Sequence, residues 1–174
     1  MRRKMMIPHP LLTTAAALLL STLVAACYSF RGGSAPAHLD TVVIPEAIDN
    51  SGSGRGTLRF DLTNELIDRF RQDNSLRVID DEQADSRLEV TITVVRTDIR
   101  QAVSDDRETV RGVSIEARVT FFDNVQDRAI YDRRLFAGTS TYDVNQGAAG
   151  EEEAIEEAID LLTNEILLGT VAEW

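Results

Sequence analysis

Alternation of apolar and polar side chains dominates the middle of the chain. From residue 88 to 94, and again from 113 to 121, every second residue is apolar. A period of two sends successive side chains to opposite faces, so each segment is predicted to be a strand with one face in the core. The polar residues 104–106 between them favour a turn, which makes the two strands a long hairpin. Matching the apolar positions of both strands places Asp98 opposite Arg111.

Three other segments have the composition of strands. Residues 39–44 and 76–79 are short runs rich in β-branched side chains, and Pro45 ends the first. Residues 129–142 follow a polar turn at 123–127 and supply a further strand. The sheet is therefore predicted to be mainly a meander.

One helix is predicted between the first two strands. Apolar side chains return every three or four residues from Leu58 to Phe70, which is the period of a helix with one buried stripe. Thr57 is a suitable N-cap residue, and the helix is expected to end near Asp73 and Asn74. The preceding residues 49–56, rich in glycine and serine, are predicted to form a flexible loop.

A second helix is predicted near the end of the chain, with a buried stripe from Ile155 to Ile166. Residues 147–150 are expected to be a linker, the acids 151–153 to favour the helix N-terminus, and Gly169 to end the helix. The order of elements indicates an α+β fold. Two amphipathic helices would pack on one face of a mixed, mainly antiparallel sheet of about four to five strands.

The chain begins with a hydrophobic segment of a different kind. Arg2, Arg3 and Lys4 precede residues 11–24, an apolar run with the length of a signal-peptide core and too short to span a bilayer comfortably. It closes on Leu23-Val24-Ala25-Ala26-Cys27, the lipobox pattern of bacterial lipoproteins, and contains the only cysteine of the chain. A plain signal peptide followed by a chance cysteine is the alternative interpretation.

This leader predicts how the chain is divided. Residues 1–26 are expected to be a lipoprotein signal peptide, residues 27–38 a tether lipidated at Cys27, and residues 39–174 a single α+β domain. Several acyl chains would make a stable anchor, since each buried methylene contributes about 0.8 kcal/mol. Tyr28 follows the cysteine in place of the aspartate that retains some lipoproteins in the inner membrane, so an outer-membrane location on the periplasmic side is expected.

Charge narrows the possible partners. The whole chain has 29 acidic and 18 basic residues, and the leader contains three of the basic residues and none of the acidic ones. The mature chain would then carry 15 basic and 29 acidic residues, a formal charge of −14, with no lysine. Because nucleic-acid binding depends on neutralising phosphates, no nucleic-acid partner is expected.

The sequence contains no recognisable catalytic set. His38 is the only histidine after the leader, so a histidine-based nucleophilic site is not expected, and Cys27 and His38 do not make a zinc site. The glycines at 52, 54 and 56 do not match the spacing of a phosphate-binding loop. The acidic clusters are expected to be solvated turns and a helix start. We therefore predict a protein that is not an enzyme and needs no metal or cofactor.

Arginines collect toward the tip of the predicted hairpin. Arg96, Arg100 and Arg111 carry planar guanidinium groups that suit the phosphate oxygens of a glycolipid headgroup. The competing interpretation is a structural network of ion pairs with the acids of the same region. These acids are Asp98, Asp105, Asp106 and Glu108.

The start of the mature chain resembles a known family. Cys27-Tyr28-Ser29-Phe30, a Gly/Ser/Pro stretch, the strand 41–45 and the Asn50-Ser51 loop before an amphipathic helix are similar to the lipopolysaccharide-assembly lipoproteins of the LptE type. The family commonly opens Cys-Gly-Tyr, and that glycine is absent here. The order of later elements extends the resemblance over essentially the whole mature chain.

The resemblance implies an outer-membrane lipoprotein that acts as plug and assembly partner of the large β-barrel LptD and assists lipopolysaccharide transport. It implies two helices on a four-stranded sheet and a lipid on Cys27. Direct contact with lipopolysaccharide is expected to be secondary, because an acidic domain binds an anionic lipid poorly. The alternative function is a free-standing, lipid-anchored periplasmic binding domain for a small ligand or peptide.

Overall fold

The computed structural model describes residues 35–103 and 107–172, and only the backbone for the described residues between 100 and 109. The predicted signal peptide, Cys27 and the hairpin turn at 104–106 lie outside the described residues. The elements in chain order are β1 (Thr41–Val43), β2 (Ile48–Asp49), α1 (Leu58–Asp73), β3 (Arg77–Val78), β4 (Ser86–Val103), β5 (Arg107–Asp123), β6 (Arg128–Asp143), a 3₁₀ turn (Val144–Gln146) and α2 (Gly147–Val171).

These strands form one sheet in the order β3-β1-β4-β5-β6. β1 runs parallel to both β3 and β4, whereas β4, β5 and β6 form an antiparallel meander. β2 is a sixth strand, parallel to β4, at the start of the predicted loop, and the N–H of Asn50 continues its pairing by donating to the Ile92 carbonyl at 2.9 Å. The mixed, mainly antiparallel sheet of the prediction is confirmed.

Both helices cover the same face of the sheet, here called the inner face. α1 buries the predicted stripe from Leu58 to Phe70, and α2 buries its own stripe from Ile155 to Ile166. In β5, the alternate side chains from Val113 to Phe121 are 0–1% exposed and belong to the same apolar cluster. The α+β arrangement with two helices on one face is therefore confirmed.

The ends of α1 agree with the prediction except at the cap. Thr57 occupies the N-cap position, but its side chain makes no capping hydrogen bond. Its carbonyl instead accepts from the N–H groups of Phe60 and Asp61 at 2.8 and 3.0 Å. Asn74 ends the helix in the left-handed conformation at φ 59°, where asparagine is well tolerated.

Both predicted ends of α2 are wrong. Residues 147–150 belong to the helix instead of a linker, because Asp143 and Gln146 form a reciprocal capping box that starts a 3₁₀ turn directly before it. Gly169 does not end the helix, which continues to Val171. A Cβ on Gly169 would lie 2.7 Å from the Phe136 ring, so this glycine serves close packing.

Helix α2 crosses the sheet at Gly138, which lies opposite Ile115 in β5. A Cβ on Gly138 would lie 1.9 Å from the carbonyl oxygen of Ala158 and 2.8 Å from the backbone nitrogen of Leu162. Only glycine lets the helix backbone approach the strand this closely.

The predicted register of the long hairpin is wrong beyond Thr93. Ile92 lies opposite Ala117, but Val94 lies opposite Glu116, so Thr93 is an extra residue in β4. Such a bulge shifts all later pairs by one position. Asp98 consequently lies opposite Gly112, and Arg111 lies opposite Ile99.

Candidate functional site

The chain enters the described fold at one end of the sheet. His38 Nε2 lies 2.7 Å from Oδ2 of Asp123, whose side chain is fully buried at the end of β5. The N–H of Gln126 donates to the other carboxylate oxygen at 2.9 Å. Burial acts to raise the pKa of Asp123, but the hydrogen bonds from His38 and Gln126 outweigh it and lower that pKa.

A second carboxylate holds the same entry segment. Asp85 Oδ2 accepts from the N–H groups of Asp40 and Thr41, both at 3.0 Å, and from the Thr41 hydroxyl at 2.8 Å. The Thr41 hydroxyl, helped by the two N–H groups and by Arg77, lowers the pKa of Asp85 against the opposing effect of burial. We call the set His38, Asp40, Thr41, Asp85 and Asp123 the junction cluster.

The junction cluster was not anticipated from the sequence. His38 was assigned to the tether, and nothing in the local pattern joins it to a residue 85 positions away. The available signal was weak: Asp123 directly follows a buried apolar strand, where an acid needs a partner. Cys27 lies outside the described residues, eight positions before Ala35, which is already buried.

Arg96 lies in an ion-pair network on the outer face of the sheet, away from the helices. Its Nε lies 3.2 Å from Asp98 Oδ2, and its second guanidinium nitrogen lies 3.0 Å from Glu116 Oε1. Arg96 and Asp98 are both about half exposed, so these pairs are well solvated. This arrangement agrees with the structural interpretation of the arginines.

The structure does not bring the three predicted arginines together on one face. Arg111 lies opposite Ile99 in β4 and Tyr142 in β6, at positions that alternate onto the inner face. Arg96 is on the outer face, because the bulge at Thr93 shifted the register. For Arg100 only the backbone, within β4, is described.

An acidic groove of about 520 Å³ separates the two helices. Arg69 crosses it, pairing with Glu65 at 3.0 Å and with Asp160 on the opposite helix. A separate hollow of about 440 Å³ lies beside β6 and is lined by Thr139, Ser140, Thr141 and Glu157. The acids that line the interhelical groove are Asp61, Glu65, Asp68, Glu152, Glu156 and Asp160.

Two kinds of feature are absent from the residues that the structure describes. Among the side chains described within 35–103 and 107–172, no group of three His, Cys, Asp or Glu could hold a metal ion. No helix of these same ranges is long and apolar enough to cross a membrane.

Several solved structures share this fold at low sequence identity. Protein XCC0632 from Xanthomonas campestris has a TM-score of 0.59 and 13% identity, with 80% of this chain and 90% of that chain covered. The hypothetical protein CT253 from Chlamydia trachomatis has a TM-score of 0.54 and 13% identity, and the match covers 75% of this chain and 95% of that chain. Lipoprotein B from Nitrosomonas europaea has a TM-score of 0.53 and 10% identity, and the match covers 82% of this chain and 92% of that chain. At these identities the similarity concerns the fold alone.

No curated protein matches the sequence significantly. Residues 39–168, which are well over half of the chain, match the family model LptE, described as lipopolysaccharide-assembly. This confirms the family suggested by the residues around Cys27 and the predicted absence of enzymatic activity. The chain belongs to the LptE lipopolysaccharide-assembly family, a family of non-enzymatic outer-membrane lipoproteins.

Proposed function

We propose that this chain is anchored in the outer membrane through acylated Cys27 and acts as plug and assembly partner of an LptD-like β-barrel. The observation that carries the proposal is the family match over residues 39–168. Lipopolysaccharide assembly follows from the family, whereas the barrel partner and the anchor are the proposed steps.

The geometry of the junction cluster supports an anchor close to the domain. Cys27 lies eight positions before buried Ala35, and an extended chain spans at most about 28 Å over eight positions. His38 and Asp40 then attach the entry segment to Asp123 and Asp85. A lipidated Cys27 would therefore keep the end of the sheet that carries these two acids near the membrane.

Direct glycolipid contact through Arg96, Arg100 and Arg111 is a secondary proposal. Arg96 already has two carboxylate partners, and a formal charge of −14 on the mature chain repels anionic headgroups. Replacing all three arginines by alanine tests the contact. A several-fold loss of lipopolysaccharide binding would support it, and unchanged binding would leave a structural role.

The alternative of a small-ligand binding domain has less support. Ligand sites are typically apolar clefts with a few convergent polar groups. The interhelical groove is lined by six acids, and the hollow beside β6 is lined by hydroxyl groups and Glu157. Neither lining is mainly apolar, so neither hollow matches a typical small-ligand site.

Purification of the tagged full chain from outer membranes tests the main proposal. The native protein is expected to bring down one β-barrel, and depletion is expected to lower surface lipopolysaccharide. A Cys27→Ser variant serves as the matched control for the anchor, because it retains the mature domain. Mass spectrometry of the mature N-terminus checks the acylation directly, and an unmodified thiol would contradict it.

A further inference from the structure

The outer edge of β6 carries an inference that goes beyond the barrel partnership and does not depend on it. β6 is the last strand of the sheet, and none of the strands within 35–103 and 107–172 pairs with its outer edge. At the opposite side, the edge strand β3 is only two residues long, whereas β6 has sixteen. A short edge strand is a common protection against pairing with another chain. β6 is long, so it lacks this protection.

The two halves of β6 differ in how they are protected. The first half contains Asp132, Arg133 and Arg134, with Arg133 at φ 50° and an irregular register against β5. Charges and bulges of this kind discourage strand addition. The second half, Leu135 to Tyr142, has an uninterrupted register and no charged residue. We call this second half the open edge.

Side chains on the outer face of the open edge are suited to a partner strand. On the outer face, Leu135 is 55% exposed, and the alternate residues Ala137, Thr139 and Thr141 are also exposed. Alternation of this kind offers shallow contacts to every second side chain of an added strand.

Helix α2 supplies an acidic and apolar rim above the same edge. Ser140 donates a hydrogen bond to Glu157, which places this flank of the helix beside β6. Leu161 and Leu168 follow Glu157 at helical spacing and are 41% and 45% exposed. The flank is distinct from the one that lines the interhelical groove.

The charge around the open edge indicates which kind of partner segment would bind there. Asp143 directly follows the open edge in the sequence, and Glu157 of α2 lies beside it. The mature chain carries a formal charge of −14. A second copy would bring two such acidic surfaces together, which is unfavourable, whereas a basic segment would be attracted. We propose that Leu135–Tyr142 binds an extended, basic segment of a partner protein by strand addition.

Peptide binding to the full-length chain in detergent micelles tests this proposal. The probe is a fluorescent ten-residue peptide that alternates lysine with valine. Its controls are the same peptide with glutamate for lysine and the same peptide with alternate backbone amides N-methylated. We expect both controls to bind at least about tenfold more weakly, because one loses the charge and the other loses the main-chain hydrogen bonds.

A matched pair of variants locates the site. Thr139→Arg introduces a positive charge on the open edge and is expected to weaken binding of the lysine peptide about tenfold or more. Thr91→Arg introduces the same charge on the outer face of β4, away from the edge, and is expected to change the affinity less than about twofold. Thr141→Arg replaces the first variant if circular dichroism shows that Thr139→Arg does not fold.

Three results would overturn the proposal. They are no binding of the lysine peptide to the native chain, equal binding of the N-methylated peptide, and equal effects of the two arginine variants. Sedimentation of the native chain without peptide, which measures its oligomeric state, gives a fourth test. A dimer that Thr139→Arg converts to a monomer would assign the open edge to a second copy instead.

Discussion

Strand β4 consists of a covered half, from Ser86 to Ile92, and a projecting half beyond Thr93, in which the side chains from Arg96 to Ile99 are exposed. In the covered half, Leu88 pairs with Phe121 and Ile92 with Ala117, and all four side chains are fully buried. In the projecting half, beyond Thr93, Ile99 is 64% exposed. Register irregularities begin at Thr93 and recur beyond Ile99, and none interrupts the pairs from Ser86 to Ile92.

This difference shows what specifies strand register. A shift of one residue in the covered half would move a whole row of apolar side chains to the outer face, so burial holds the register there. The projecting half has little apolar area to lose, and bulges are tolerated. Apolar parity therefore predicts the register reliably only where the apolar side chains of both strands are buried.

The largest expected effect compares one isoleucine from each half. Ile92→Ala should lower the free energy of unfolding by about 3 to 4 kcal/mol, because it leaves a cavity in the core. Ile99→Ala should lower it by less than about 0.5 kcal/mol, since its side chain is mostly in solvent. Urea denaturation of both variants measures the difference, and similar losses would contradict the division into halves.

Gly138 tests how closely α2 must pack on the sheet. Gly138→Ala should destabilise the protein by about 3 kcal/mol, because the new Cβ would overlap the backbone of α2. Gly56→Ala is the matched control, since a Cβ there meets no atom within 4 Å, and it should change stability by less than about 0.5 kcal/mol. Equal thermal denaturation midpoints for both variants would mean that α2 can move away from the sheet.

Replacing Asp85 and Asp98 in turn compares how much a charged side chain stabilises each end of β4. The pKa of Asp85 is lowered in the folded state, so its stabilising effect is present above the usual value of 3.8 and is lost as the pH falls through the folded-state pKa. Asp85→Asn should therefore cost about 1.5 kcal/mol at neutral pH and progressively less below pH 3.8. Asp98→Asn, at a half-exposed ion pair, should have a small effect. Urea denaturation across this pH range checks both, and a loss for Asp85→Asn that does not shrink at low pH would contradict the role of its charge.

The smallest expected effect is that of Arg96→Ala in the projecting half. Its ion pairs with Asp98 and Glu116 are exposed, so their loss should lower stability by less than about 1 kcal/mol and should matter less at high salt. Denaturation at two salt concentrations measures this. A loss above about 2 kcal/mol would show that the network holds the projecting half in place.

Local patterns predicted both helices and every strand of the described residues except β2, but not all of their ends. The region 147–150 is predicted to be a linker, whereas the structure includes it in α2. The capping box of Asp143 and Gln146 starts the 3₁₀ turn directly before the helix. These two residues are three positions apart, so the signal for the earlier start is local and was present in the sequence.

The candidate sites were predictable to very different degrees. The family resemblance rests on local patterns, so the residues alone revealed it. The lipobox at Cys27 is also a local pattern, and lipidation there stays a prediction. The contact between His38 and Asp123, by contrast, joins residues that are 85 positions apart. The open edge of β6 could not be predicted either, because the sequence of a strand does not show whether that strand lies inside a sheet or at its edge.

The sequence by itself determined the class of fold, the two helix stripes and the family, because periodicity and short motifs are properties of neighbouring residues. Only the tertiary structure decided which arginines share a face, which glycines serve close packing and which strand edge stays open. One extra residue at Thr93 was enough to change the arginine pairing. Such outcomes depend on contacts between distant segments, and the free energy of those contacts is set by burial that exists only after folding.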